Sequence, residues 1–275
     1  MKVNKALTIA GSDSGGGAGI QADLKTFQEL GVFGMSALTA VTAQNTRGVQ
    51  GVFPMTADAV ASQIQSIGED LSPDAVKTGM LFSAEIIETV SKEMANYGWK
   101  NIVIDPVMIA KGGASLLQTE AILAMKKHLI PLSMVITPNI PEAEVLTDTI
   151  IRSMDDKKKA AYELHRLGAR HVIIKGGHEE GKMAADLLFD GECFTEFKSN
   201  RIETVNTHGT GCTFSAAITA GLADGLSVPL AADRAKQFIQ AAIENDLKIG
   251  SGHGPTNHWA FNAKKKESLI HGSQY

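Results

Sequence analysis

The sequence predicts an α/β fold built on one open, mostly parallel sheet with helices on both faces, and three observations predict it. Six short apolar runs recur along the 275 residues: KALTIAG, SALTAVTAQ, DAVKTGML, NIVIDPVM, MVITPN and HVIIKGG. They are too short for helices and apolar on both faces, as parallel strands covered from either side are. Amphipathic helical patterns at 19–30, 57–67, 84–97, 119–128 and 155–167 alternate with them, which is the order of strand–helix–strand units. Polar residues collect at equivalent ends of the runs: Asp13, then Gln44 and Asn45, Lys77 and Thr78, Asp105, Asn139 and Lys175. Ligands of such sheets bind outside the carboxyl ends of the strands, so these residues are expected to meet at one site.

Taken in order, the first run leads into GGGAG (15–19) and the first helix, and the next four runs each precede or follow an amphipathic stretch. After Gly177 the period changes to two strand patterns, AADLLFD and ECFTEFKSN, expected as an antiparallel pair at the sheet edge. Two long helices, from Thr213 and from Pro229, are expected to close the fold. Neither an internal repeat nor a low-complexity linker interrupts the pattern, so a single domain over 1–275 is expected, ending in a solvated tail with Lys264, Lys265 and Lys266.

Composition narrows the function classes. A chain that is 44% hydrophobic and 20% charged can bury a full core. There is no run of about 18 apolar residues and no signal-peptide profile, so a cytoplasmic protein without a membrane span is expected. The two cysteines, Cys193 and Cys212, are too few for a four-cysteine zinc site. Net charge is −4 and no basic stripe is interleaved with aromatics, which argues against nucleic acid as a partner.

The most informative stretch is NTHGTGC (206–212), which runs into the apolar, helix-forming TFSAAITAGLA. Small residues ahead of a helix leave backbone N–H groups unpaired, and the helix dipole adds positive potential there, so an anion-binding hole is expected. Cys212 lies within the first turn, where a thiol pKa tends to be pulled down. A phosphate held beside a proton acceptor points to phosphoryl transfer to an alcohol. The bland alternative is a tight turn followed by a buried cysteine. Two other glycine motifs fail: GGGAG lacks the third glycine of a dinucleotide-binding loop, since Ile20 stands there, and GGHEEGKM (176–183) has Met183 where a Walker loop needs a magnesium-binding hydroxyl.

Six segments together carry a resemblance: AGSDSGGGAGIQADLKTF (10–27), KTGM (77–80), IDPVM (104–108), TPNIPEAE (137–144), IKGGH (174–178) and GTGC (209–212). In order and spacing they are similar to the ribokinase-type small-molecule kinases, in their hydroxymethylpyrimidine and pyridoxal kinase branch, over nearly the whole chain. The resemblance implies a ribokinase-like fold, a homodimer, and ATP- and Mg2+-dependent phosphorylation of 4-amino-5-hydroxymethyl-2-methylpyrimidine and its monophosphate for thiamine biosynthesis. It implies that Cys212 accepts the hydroxymethyl proton and that the backbone N–H groups of Gly209, Thr210, Gly211 and Cys212 hold the transferring phosphoryl group. It places Lys175, Thr207, Lys236 and Asp105 near the nucleotide, although Lys236 also fits a solvated helix face and Asp105 fits turn chemistry before Pro106. Asn139 and Glu142 fit either a magnesium-side pair or a helix N-cap with its acidic first turn. For the small-molecule pyrimidine substrate it implies Gln44, whose carboxamide complements an adjacent ring nitrogen and amino group, with Gly11, Asp23 and Met80 lining the same pocket. Asp23 also fits the exposed face of its helix. A lid, MIAKGG (108–113), would bring Lys111 to the phosphates between glycines, and Ala110 stands where some pyridoxal kinases of the branch carry a second cysteine. The alternatives are a pyridoxal, pyridoxine or pyridoxamine kinase and a non-catalytic pyrimidine-binding protein.

Overall fold

The computed structural model describes residues 2–108, 119–177 and 181–263. The lid residues Ala110, Lys111, Gly112 and Gly113, and the tail lysines Lys264, Lys265 and Lys266, lie outside them.

The chain builds β1 (Lys5–Ala10), α1 (Gly19–Glu29), β2 (Phe33–Leu38), β3 (Ala40–Asn45), β4 (Gly48–Pro54), α2 (Ala57–Asp70), β5 (Ala75–Thr78), α3 (Ala84–Asn96), β6 (Ile102–Ile104) and α4 (Thr119–Ala124). It continues through β7 (Val135–Ile136), α5 (Ile140–Thr147), α6 (Met154–Arg166), β8 (His171–Ile174), β9 (Met183–Phe189), β10 (Phe194–Asn200), α7 (Thr210–Ala223) and α8 (Val228–Glu244). Eight strands form one sheet in the order β10-β9-β8-β7-β6-β5-β1-β2, parallel except where β9 pairs with β8 and β10. The ribokinase-like, mostly parallel sheet and its antiparallel edge pair are as the sequence predicts.

The apolar runs alternate between two cores because successive strand side chains point to opposite faces. Leu7, Ile9, Val76, Ile102, Ile104, Ile136, Val172 and Ile174 pack on one face against Val60 and Ile64 of α2, Ile87, Val90 and Met94 of α3 and Leu164 of α6. Ala6, Ala75, Val103, Val135 and Ile173 point to the other face, against Phe27 of α1, Phe214 and Ile218 of α7 and Phe238 of α8. Ser83 and Ser153 cap α3 and α6 by accepting the backbone N–H groups of Ile86 and Asp156.

The run SALTAVTAQ, expected as one strand, divides at Thr39. Thr39 is fully buried, its N–H donates to the Ala10 carbonyl and its hydroxyl to that of Met80. Beyond it the chain leaves the main sheet, and β3 pairs antiparallel with β4, a strand the sequence reading missed, in a separate two-stranded hairpin. The buried–exposed alternation of Ala40, Val41, Thr42 and Ala43 is the pattern of a strand with one wet face. Helix α5 was expected only as the cap alternative at Asn139, and α7 begins at Thr210, ahead of Thr213.

The strand order reverses at β1, with β2 on one side and β5 to β8 on the other. A topological switch leaves a crevice outside the carboxyl ends of the strands. A cavity of about 590 Å³ opens there, lined by Asp13, Lys77, Asp105, Asn139 and Lys175 from five of those ends and by Gln44 from the β3–β4 hairpin.

Candidate active site

Helix α7 starts at the cavity wall. Its N-cap, Gly209, has φ +80, and a side chain there would collide with the Gly17 carbonyl, so glycine alone fits. The N–H of Thr210 donates to the Thr207 carbonyl at 3.3 Å, which corrects the expectation that all four N–H groups from Gly209 to Cys212 face the phosphoryl group. Those of Gly211 and Cys212 belong to the first turn, which has no intrahelical acceptor for them. A side chain on Gly211 would stand 3.3 Å from Lys175 Nζ, so the small residue keeps the helix end open toward that cation.

Behind this opening lies a line of charges. Lys175 Nζ is 3.0 Å from Asp105 Oδ1 and 3.9 Å from Glu142 Oε2. Burial alone would lower the lysine's pKa, but Asp105 and Glu142 together raise it, and it stays protonated. Burial pushes the Glu142 carboxyl up to about 7, with Lys175 opposing and Asp105 reinforcing the shift. Asn139 and Glu142 form a reciprocal capping box on α5: Asn139 Oδ1 accepts the Glu142 N–H at 2.8 Å and Glu142 Oε2 the Asn139 N–H at 2.7 Å. Among the described residues the buried Oδ2 of Asp105 has no hydrogen-bond partner. Such an orphaned carboxylate oxygen is costly unless a cation or donor meets it.

Cys212 overturns one expectation. Burial pushes its thiol up to about 12, the Lys77 ammonium pulling it down and Asp105 and Asp23 pushing it further up. Desolvation of the thiolate outweighs the helix end, so the resting group is a thiol.

Asp23 overturns another. It is fully buried and lies beneath the substrate end, where it pairs with Lys77 at 3.0 Å and accepts from Thr8 Oγ1 at 2.6 Å. It is neither a pocket-lining group nor an exposed helix residue, because the strand-end lysine it neutralises has no water to reach. Lys236, by contrast, lines the far end of the cavity, anchored by Asp186 at 2.7 Å and the Ala184 carbonyl at 3.2 Å. Thr207 lines it as well.

At the opposite end stand Gln44, Gly11 and Met80. The register of the β3–β4 hairpin shifts between Ala43 and Gln44, an irregularity that re-aims the Gln44 side chain. A side chain at Gly11 would overlap the Met80 methyl, which lies across the β1 end. Within the glycine-rich segment 13–19, Asp13 takes the N–H groups of Gly15, Gly17 and Ala18 at 2.8, 3.0 and 2.8 Å. Its carboxyl is raised by burial but lowered more by His208 and these N–H groups, so it is held below the usual range. Sequence reasoning missed His208, although it lies inside NTHGTGC, because only the small residues and the cysteine of that stretch were weighed; it also missed Asp186 and Arg201, which donates to the carbonyls of Gly176, Gly177 and Gly181.

The phosphomethylpyrimidine kinase family model matches residues 13–257. The hydroxymethylpyrimidine/phosphomethylpyrimidine kinase of Bacillus subtilis (strain 168) is 60% identical to this chain, over 98% of each. An ADP complex of Bacillus subtilis pyridoxal kinase superimposes with a TM-score of 0.89 at 46% identity, covering 95% of this chain and 99% of that one. Staphylococcus aureus pyridoxal kinase in complex with AMP-PCP and pyridoxal gives a TM-score of 0.88 at 40% identity, covering 95% and 96%.

Proposed function

The chain belongs to the phosphomethylpyrimidine kinase family, and on that premise we propose that it transfers the γ-phosphoryl group of ATP to 4-amino-5-hydroxymethyl-2-methylpyrimidine and then to the monophosphate, for thiamine biosynthesis. One observation carries this reading: a carboxamide suited to an aminopyrimidine, Gln44, and the open helix end at Gly211 and Cys212 line the same cavity. The ring binds between Gln44 and Met80 with its hydroxymethyl group toward Cys212. The nucleotide enters from the Lys236 and Thr207 side, and its terminal phosphate meets the N–H groups of Gly211 and Cys212 and the Lys175 ammonium. Phosphoryl transfer depends chiefly on such positioning and charge neutralisation.

The orphaned Asp105 Oδ2 and the neighbouring Glu142 carboxyl fit a hard, oxygen-seeking cation. Asp105, Glu142 and Asn139 would hold Mg2+, which supplies neutralisation of phosphate charge. The same reading makes the protein a cytoplasmic homodimer without nucleic-acid or membrane partners; among the described residues no helix is long and apolar enough to cross a membrane. Val41 and Phe53, opposite each other on the hairpin and exposed, support the dimer.

The reading is tested by ADP release with the pyrimidine alcohol, its monophosphate and pyridoxal side by side. Turnover of both pyrimidines with a higher kcat/KM than pyridoxal is expected; the reverse preference would make the chain a vitamin B6 kinase. Gln44→Met keeps the length and removes both hydrogen-bonding groups. Leaving polar edges unpaired costs about 1–3 kcal/mol each, about 2–6 kcal/mol for the two, so the apparent KM for the pyrimidine should rise at least about 30-fold. The KM for ATP should hold; equal damage to both would show that Gln44 is structural.

A further inference from the structure

Gln44 recognises an aminopyrimidine only if its oxygen and its nitrogen face the correct atoms of the ring, and nothing in a carboxamide itself chooses between the two orientations. The surroundings do. His208 Nε2 is 2.7 Å from Asp13 Oδ2, and an ionised carboxylate has no hydrogen to give, so Nε2 carries the proton. The Gln44 nitrogen placed 3.3 Å from that Nε2 sets two donors against each other. Turned by half a rotation, the carboxamide oxygen accepts a share of the single Nε2–H, in a three-centre bond whose shorter arm goes to Asp13 Oδ2. Its nitrogen then meets Thr42 Oγ1, 3.4 Å away, a hydroxyl whose own hydrogen goes to the Ser12 carbonyl at 2.8 Å. Every donor then has an acceptor. One lone pair of the oxygen and one N–H remain for the exocyclic amine and the ring nitrogen.

The arrangement is rigid. His208 is 11% exposed at its side chain and Asp13 2%. The His208 main chain is braced by the Gly254 carbonyl at 3.1 Å and the Thr256 N–H at 3.3 Å, and a side chain on Gly17 would fall 2.6 Å from its imidazole. Ser14 Oγ clamps the Gln44 main chain from both sides, accepting its N–H and donating to its carbonyl, each at 2.8 Å.

We propose that His208, oriented by Asp13, is a specificity-determining positioning residue whose Nε2–H fixes which end of the Gln44 carboxamide accepts and which donates toward the pyrimidine. The glycine-rich segment then serves recognition of the acceptor ring. The inference rests on the pyrimidine kinase reading. Without His208 the carboxamide turns over freely and discriminates poorly between a ring bearing the amine and one lacking it.

The test compares kcat/KM for the aminopyrimidine alcohol with that for the same alcohol lacking the exocyclic amine. His208→Phe is expected to reduce the native preference by about 10- to 100-fold with the KM for ATP unchanged, and His208→Gln, which retains an N–H, to recover part of it. A residue that merely packs against Gly17 and Pro255 would slow both substrates alike, and an unchanged ratio overturns the proposal. Independently of any variant, nitrogen NMR of the native protein should find the His208 proton on Nε2; an Nδ1–H tautomer overturns it as well. A native protein inactive on the aminopyrimidine sinks the functional reading itself, which the native control reports first.

Discussion

Phosphorylation of the pyrimidine alcohol by the Cys212→Ala protein is expected to be about 10²–10⁴-fold slower than by the native protein in single-turnover experiments, the loss typical of a missing general base. The alcohol must lose a proton as it attacks. The monophosphate is a different acceptor, with a second pKa near 6, and is already mostly an oxyanion at neutral pH. Its phosphorylation should fall far less, because the backbone N–H groups of Gly211 and Cys212 survive the substitution. The half-buried, desolvated thiol adds a pH signature. With its pKa pushed up to about 12, the thiolate fraction at neutral pH is small and grows about tenfold per unit as pH rises. The native alcohol step should therefore climb between about pH 7 and 10, while the monophosphate step and the alanine variant stay flatter. If both steps fall by one factor and the slope persists without Cys212, the residue only packs the helix end.

Asp23→Ala should cost about 3–5 kcal/mol of stability, since it leaves the fully buried Lys77 ammonium without its carboxylate. At about 2–4 °C per kcal/mol for a domain of this size, the melting temperature should drop by about 6–20 °C. The double variant Asp23→Ala, Lys77→Met replaces the pair by apolar groups and should regain much of that loss, because no charge is then stranded. Activity on the alcohol should not return with it, since the Lys77 charge that draws the Cys212 thiol toward ionisation is gone. Thermal melts and alcohol turnover on the three proteins decide this. A single variant that melts within about 1 °C of native would show that water reaches Lys77.

The strand runs, the edge hairpin and the convergence of Asp13, Gln44, Lys77, Asp105, Asn139 and Lys175 were legible in the sequence, because period and strand polarity are local properties. The break at Thr39 was not. Nothing in SALTAVTAQ forbids one long strand; the bend follows from hydrogen bonds that Thr39 makes to Ala10 and Met80, which are far from it in sequence. The capping box at Asn139 was visible as one of two readings, since its partners are three residues apart.

By itself, then, the sequence determined the sheet and the small-residue helix start at Gly211 and Cys212, while the hairpin that carries Gln44 to the same cavity came only with the fold. Only the tertiary structure decided what each charged or nucleophilic group experiences. Asp23 lies on an apparently amphipathic helix yet is sealed beneath the pocket by Lys77. Cys212 sits at a helix end that favours the thiolate yet is desolvated more strongly than that end can repay. His208 carries no signal in the sequence until Asp13, 195 residues away, fixes its proton. Helix dipoles and strand periods act within a few residues of chain, whereas desolvation and the choice of hydrogen-bond partner are sums over neighbours that the fold assembles from distant segments.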